Sequence, residues 1–407
     1  MPNAWLNISP TKQTWLLDRE PTLPYLGIHT MSGLVSRFSM LWRNRSLRTR
    51  VVRGLLPSIF RTAETNLVGV GQLPVTGINR ILVIRPNHRL GNALLLTPLI
   101  IELERVFPGA EIDIVVGGHA APNLFNGFAS TGHIFRLPRY MIRHPIFMFR
   151  TVSRIRQTHY DLAIDPTEGS NSGRLFLQWA RPRYTVGVSD ALSVDNRGWR
   201  PLLLLAPRHM AQLPVYLLRH SLSTEVAVDV RYPTLAVRLT AAELRAGERT
   251  LNAMLPVSEE GSPRIIVGIF ANATGDKCYG EAWWTRLIAA IRANRPEFLI
   301  VEIVAAHGRS QLGSHFPSFF SSSPRKMASV IANLTCFISA DCGVMHLGSA
   351  SGAPTVGLFS VTDSSKYGPY GRDNHAVCTI GKSPDDVAAI VLGIVENITP
   401  DVSVKGN

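Results

Sequence analysis

Short runs that are apolar at nearly every position alternate along this chain with longer amphipathic stretches. Arg80-Ile81-Leu82-Val83-Ile84-Arg85 predicts a strand, Ala93 to Val106 a helix, Glu111 to Val116 a second strand and Tyr160 to Asp165 a later one. Strands without polar alternation are covered on both faces, and their alternation with helices predicts crossover units and a parallel sheet. The rhythm breaks near Tyr232-Pro233 and again at the polar loop Ser258 to Pro263. It restarts with Ile265 to Phe270 and continues through Phe298 to Val304, Leu334 to Ile338 and Thr355 to Phe359. Two successive α/β halves follow, over 79–232 and 233–396, after an extension over 1–78 whose first part holds Pro10, Pro21 and Pro24 and no sustained period. Ligands of such sheets bind beyond the carboxyl ends of the strands, so the halves are expected to face a shared cleft.

Composition supports a folded chain of two domains: 407 residues, 45% hydrophobic and 17% charged. Cys278, Cys336, Cys342 and Cys378 lie far apart without metal-ligand or redox spacing, which predicts a reducing compartment, the cytosol, and no zinc site. No apolar run approaches the roughly 18 residues that span a bilayer, and the N-terminus lacks the order of a secretion signal. The formal charge of +13 is uneven. Between Leu34 and Arg61 stand Arg37, Arg43, Arg45, Arg48, Arg50, Arg53 and Arg61 without an acid, interleaved with Phe38, Leu41, Trp42, Leu55 and Phe60. That pattern fits a helix on an anionic membrane surface, at the inner face of a bacterial cytoplasmic membrane, and equally a helix packed on its own domain with a solvated basic face. Pro57 ends any continuous helix there. No nucleic-acid-binding motif accompanies the charge, and no nucleic-acid partner is expected.

The chemistry concentrates in three loops. Asp341-Cys342-Gly343-Val344-Met345-His346 follows an apolar run directly, so its polar groups are expected where a buried strand hands over to a helix. Free N–H groups at a helix start attract anions and a carboxylate can hold hydroxyls; a capping Asp in an ordinary strand-turn-helix fits the same spacing. In the second half, Ala271 to Lys277 leads to Trp283-Trp284; Lys277 near a helix start can neutralise a diphosphate or be a solvated lysine. In the first half, Pro86-Asn87-His88-Arg89-Leu90-Gly91-Asn92 leads into Ala93 to Pro98. Neither loop has the glycine spacing of a P-loop or a dinucleotide fingerprint.

Taken together, Ile81 to Arg85 with Leu90-Gly91-Asn92 and Leu94 to Pro98, then Phe107 to Asp113, resemble the start of glycosyltransferase family 9, the ADP-heptose:lipopolysaccharide heptosyltransferases. Asp161 to Asp165 resembles that family's mid-domain strand, Lys277 with Trp284 its lysine-tryptophan element, and Asp341 to His346 its Asp-Ser/Thr-Gly-x-x-His signature. Thr362-Asp363 with Tyr367 to Gly371 resembles the loop after it. The resemblance spans roughly residues 80 to 396. It implies a GT-B architecture, two doubly wound domains across a central cleft, with acceptor on the first and sugar nucleotide on the second. It implies inverting transfer of heptose from ADP-heptose to a lipid-linked acceptor of the lipopolysaccharide core, with no metal and no other cofactor. Carried over, Lys277 contacts the donor phosphate, Thr274 lines the loop beside it, and Asp341, Cys342, Gly343 and His346 hold the nucleotide sugar. A lysine and helix N-termini stabilise charge where a leaving diphosphate develops it.

The departures from the family pattern bear on mechanism. The family places an Asp after the first-loop Gly as base, whereas this chain has Asn92, which can orient an acceptor hydroxyl but cannot take its proton. His88, on a loop one residue longer, is the nearest replacement in sequence; Asp165 and Glu168 are next. Lys277 lacks the Pro that follows in the family, and Cys342 replaces a hydroxyl residue. Three functions fit: a family 9 transferase at a membrane face, a GT-B enzyme using another nucleotide sugar, or a member that binds nucleotide sugar or glycan without turnover.

Overall fold

The computed structural model describes residues 66–118, 122–167, 170–187, 199–223, 231–256 and 264–398. These all belong to one compact unit, residues 58–407. The arginine-rich segment Leu34 to Arg61, Glu168 and the polar loop at 258–263 lie outside the described residues.

The first half runs β1 (Arg80–Arg85), α1 (Leu90–Leu94), α2 (Thr97–Val106), β2 (Glu111–Gly117), β3 (Thr131–Leu137), α3 (Pro145–Gln157), β4 (Leu162–Asp165), α4 (Asn171–Ala180) and β5 (Tyr184–Gly187). Helices α5 (Trp199–Leu205), α6 (Leu213–Ser221) and α7 (Ala241–Met254) lead to the second half. That half runs β6 (Ile266–Phe270), α8 (Glu281–Asn294), β7 (Leu299–Val304), β8 (Ser318–Phe320), α9 (Pro324–Ile331), β9 (Cys336–Ala340), α10 (Gly343–Ser351), β10 (Thr355–Phe359), α11 (Ser364–Tyr367), β11 (His375–Cys378) and α12 (Pro384–Ile398). The first sheet has the order β3-β2-β1-β4-β5 and the second β11-β10-β9-β6-β7-β8, with every pairing between neighbouring strands parallel. Both sheets therefore reverse direction once, between β1 and β4 and between β6 and β9, and a crevice opens at such a switch point.

Alternation along β1 explains how the layers assemble. Ile81 and Val83 face a cluster that includes Leu99, Leu103 and Leu217 and continues through Val237, Leu251, Met327, Phe337 and Leu347 of the second half. Leu82 and Ile84 face the opposite layer with Ile155, Phe176 and Leu177 from α3 and α4. The far side of the second sheet is closed by Trp284, Leu287 and Ile291 of α8 and Val387 and Val391 of α12. One hydrophobic cluster thus runs without interruption between the two sheets, which holds the halves together by burial rather than by a few surface contacts.

Two elements depart from the apolar pattern, for local reasons. The expected helix Ala93 to Val106 is two helices, because Pro98 has no N–H and its ring would crowd the carbonyl of Leu94. The Thr97 hydroxyl donates to Leu94 O instead, at 2.8 Å. β9 begins at Cys336 rather than Leu334, because Leu334 N still bonds Ile331 O at 3.0 Å in the turn that ends α9. Regular pairing also starts before Asn79: Leu67 bridges Thr185 beside β5, and Trp199 Nε1 donates to Val68 O at 3.0 Å. A one-residue bridge has no period to read in a sequence.

Candidate functional site

At the first switch point the ends of β1 and β4 bring Arg85, Asp165 and Thr167 together beneath the loop that carries Asn92. Arg85 is buried; its Nη1 donates to Thr167 Oγ1 at 2.9 Å and its Nη2 to Asn92 Oδ1 at 3.2 Å. Asp165 is buried too, with Oδ1 accepting from Thr167 N at 3.0 Å. Gly173, in the first turn of α4, leaves the space that Asp165 Oδ2 occupies. Burial pushes the Asp165 carboxyl up to about 7, against the lowering pull of the Thr167 N–H and the Arg85 and Arg174 guanidinium groups. Burial in turn lowers the Arg85 guanidinium, with Asp165 and then Tyr367 opposing. His88 is exposed and lies over Gly117 and Gly118 at the end of β2. Of the three residues expected to serve catalysis, Asn92 and Asp165 share the Arg85 cluster and His88 lies over the end of β2.

At the second switch point β6 ends in the loop to Lys277 and β9 ends at Asp341. Lys277 Nζ sits 2.7 Å from Asp341 Oδ2, a contact between a largely buried carboxylate and a partly exposed lysine. Thr274 is exposed just before the short helical turn Gly275–Lys277. Cys342 occupies the N-cap of α10 without making a capping hydrogen bond; its Sγ lies 3.6 Å from Ser339 Oγ, and burial raises its thiol pKa. A hydroxyl there would bond a first-turn N–H, whereas the thiol is a weak acceptor. His346 is buried one turn into α10, its Nδ1 without a partner, and burial pushes it down to about 4.

The two switch points meet. A Cβ on Gly91 would stand 2.7 Å from His346 Cδ2 and 3.3 Å from Gly343 Cα, and a Cβ on Gly343 would stand 2.9 Å from Gly91 N. Both positions need hydrogen in place of a side chain because two backbones approach there. The starts of α1 and α10, and with them the free N–H groups of both helices, converge on one place. A second link runs from the loop after β10 to the stretch before α6. His209 Nε2 lies 3.1 Å from Gly368 O, Met210 N bonds Lys366 O at 3.1 Å, and Tyr370 Oη accepts from Gln212 Nε2 at 3.3 Å. Ala211 N donates to His209 Nδ1 at 3.2 Å, which makes Nε2 the protonated nitrogen, and the His209 ring stacks on Tyr370 at 4.8 Å.

Arg85, Thr167 and His209 escaped the sequence reading. Arg85 closes an apolar strand and reads as its solvated end. His209 sits in an irregular stretch whose partners lie 159 residues away.

The family model for glycosyltransferase family 9 (heptosyltransferase) matches residues 324–392, the segment from α9 into α12 that carries Asp341, Cys342, Gly343 and His346. That match makes the segment similar to glycosyltransferase family 9. Its fold agrees. The glycosyl transferase family 9 protein of Veillonella parvula is similar at a TM-score of 0.63 with 15% identity, covering 81% of this chain and 99% of that one. The E. coli heptosyltransferase WaaC with ADP gives 0.56 with 18% identity, covering 78% and 99%. E. coli ADP-heptose lps heptosyltransferase II gives 0.56 with 15% identity and the same coverage. No curated protein matches the sequence. At these identities the structures establish the two-sheet GT-B fold, and the chemistry of the cleft rests on the residues of this chain.

Proposed function

We propose that this glycosyltransferase moves a heptose from ADP-heptose, with inversion, to a hydroxyl of a lipid-linked acceptor of the lipopolysaccharide-core type. The observation that supports the proposal is the meeting of the two switch points at Gly91 and Gly343, one of which holds the Lys277–Asp341 ion pair and the other the buried Asp165. Similar structures were solved with ADP and with ADP-2-deoxy-2-fluoro heptose.

In this scheme the donor diphosphate lies against the start of α10 and takes Lys277 from Asp341, freeing the carboxylate to accept hydrogen bonds from sugar hydroxyls. Thr274 lines the phosphate loop, and Cys342 stands at the N-cap of α10, where the thiol is a weaker partner for the first-turn N–H groups than a hydroxyl. His346, neutral at physiological pH, packs under the sugar. On the first half, Asn92 turns the acceptor hydroxyl and Asp165 takes its proton as that oxygen bonds the anomeric carbon. The anomeric C–O bond to phosphate breaks on the opposite face, and its electron pair leaves with ADP. The position that carries the family's acid is neutral in this chain, so Asp165 is the carboxylate left in the Arg85 cluster. A base is most effective with a pKa near the working pH, and a value of about 7 suits Asp165 to that role more than exposure suits His88.

The test is a thermal-shift panel of ADP, UDP, GDP and CDP sugars, since a ligand that binds only the folded chain raises its melting point. ADP-heptose is expected to give the largest shift. A larger one from another nucleotide sugar would reassign the donor, a possibility that Cys342 and the missing Pro after Lys277 make specific.

A further inference from the structure

From Ile114 to Tyr160 the chain carries Arg136, Arg139, Arg143, Arg150, Arg154 and Arg156 and no Asp or Glu. All six arginines are exposed. None is ion-paired to a carboxylate among the described residues. Arg139 and Arg143 instead flank the Tyr140 ring, at 5.8 and 4.9 Å from its centroid. α3 buries Thr151 and Ile155 against the first sheet. Its outer side and the turn before it are not finished for water: Phe149 is 75% exposed, Ile146 70%, Tyr140 56% and Phe147 45%. A surface helix ordinarily turns polar groups outward, so aromatic and branched side chains at this exposure, gathered in one turn, mark a contact surface.

We infer that this surface, Tyr140 to Arg150, docks the enzyme on an anionic phospholipid bilayer. Two features select that occupant. The unpaired arginines call for a partner dense in negative charge, and Ile146, Phe147 and Phe149 call for an apolar layer directly beneath that charge. A nucleic acid supplies phosphate without the apolar layer. Position agrees with the chemistry. Leu137 ends β3 at the same edge of the parallel sheet where β1 and β4 present Arg85 and Asp165. β3 lies two strands from β1, about 10 Å at ordinary strand spacing. Docking through this turn brings the first-half side of the cleft to the headgroup layer, where a lipid-linked acceptor would be held. The inference is separate from the choice of donor, and a failed nucleotide panel would leave it standing.

The full chain is sedimented with phosphatidylglycerol-rich vesicles and, in parallel, with pure phosphatidylcholine vesicles. The wild type is expected to bind the former in a salt-sensitive way and the latter weakly. The double variants Ile146→Glu/Phe149→Glu and Arg143→Glu/Arg150→Glu should each lower partitioning about tenfold or more. Because the substituted side chains are exposed, the melting temperature and its shift with nucleotide should stay at wild-type values. Wild-type partitioning in either variant would overturn the inference, as would a wild type that ignores anionic vesicles. A wild-type dimer that Ile146→Glu/Phe149→Glu converts to monomer would overturn it too, by showing that the face meets a second copy.

Discussion

The two switch points share a topology and a location in their sheets but handle their carboxylates in opposite ways. In the second half Asp341 is bonded directly to Lys277 at 2.7 Å. In the first half Asp165 Oδ1 accepts from Thr167 N at 3.0 Å, Arg85 donates to Thr167 and Asn92, and burial raises the acid to about 7 against the nearby guanidinium groups. A paired carboxylate is a holder of ligands, ready to trade one cationic or hydroxyl partner for another. A buried carboxylate near pH 7 exchanges protons. On the proposed function, the same crevice of the same kind of sheet serves binding in one half and proton transfer in the other, according to how its carboxylate is paired and buried.

The most direct way to break this comparison is to neutralise each carboxylate in turn. Asp165→Asn is expected to lower turnover by a hundredfold or more with donor affinity little changed, measured as initial rates beside a donor titration. His88→Ala should retain most of the rate; if His88→Ala is the variant that fails, the exposed imidazole is the base and Asp165 is structural. Lys277→Ala and Asp341→Ala are expected to do the converse and weaken nucleotide-sugar binding by about tenfold or more. Unchanged affinity in both would remove the donor from this loop.

Smaller effects sharpen the contrast. Gly91→Ala on a helix would ordinarily stabilise it by about 1 kcal/mol. Here its Cβ would meet His346 and Gly343, so melting temperature should fall and the rate drop several-fold as the two helix starts are pushed apart. The rate of the wild type should rise with pH through about 7 as Asp165 loses its proton. Arg85 lowers that value, so Arg85→Gln should move the inflection to higher pH, while loss of Lys277 should leave it in place.

Stability should show the smallest and most specific signature. Asp165 binds a proton more tightly folded than unfolded, so it contributes a loss of stability as pH rises from about 4 to 7. Asp165→Asn should therefore melt higher than wild type at pH 8, with less difference at pH 5. His346 is pushed down to about 4 and so works the other way: the unfolded chain binds the extra proton, and stability is lost as pH falls from about 6.5 toward 4. His346→Gln should narrow that acid loss in scanning calorimetry.

Much of this was legible in the order of residues. Uniformly apolar strands between amphipathic helices can be satisfied only by parallel sheets buried on both faces, and such sheets present their loops at one edge. The turn at Asp341-Cys342-Gly343, the lysine loop and the family resemblance were readable because each is a local run whose members touch their sequence neighbours. The break at Pro98 was there as well, a local covalent effect hidden inside an apolar stretch. Tertiary structure alone decided which distant groups meet. Arg85 reaches Thr167 across 82 residues, and His209 reaches Gly368 across 159. Burial alone made Asp165 a candidate base, since a carboxylate carries no mark in sequence of how much water it will keep. Gly91 and Gly343 were readable as members of two separate motifs; that two helices approach at those points is set by the fold. Periodicity reports how a segment contacts the layer above and below it; the pairing of polar groups, and the free energy of their charge, depends on which segments the whole fold brings together.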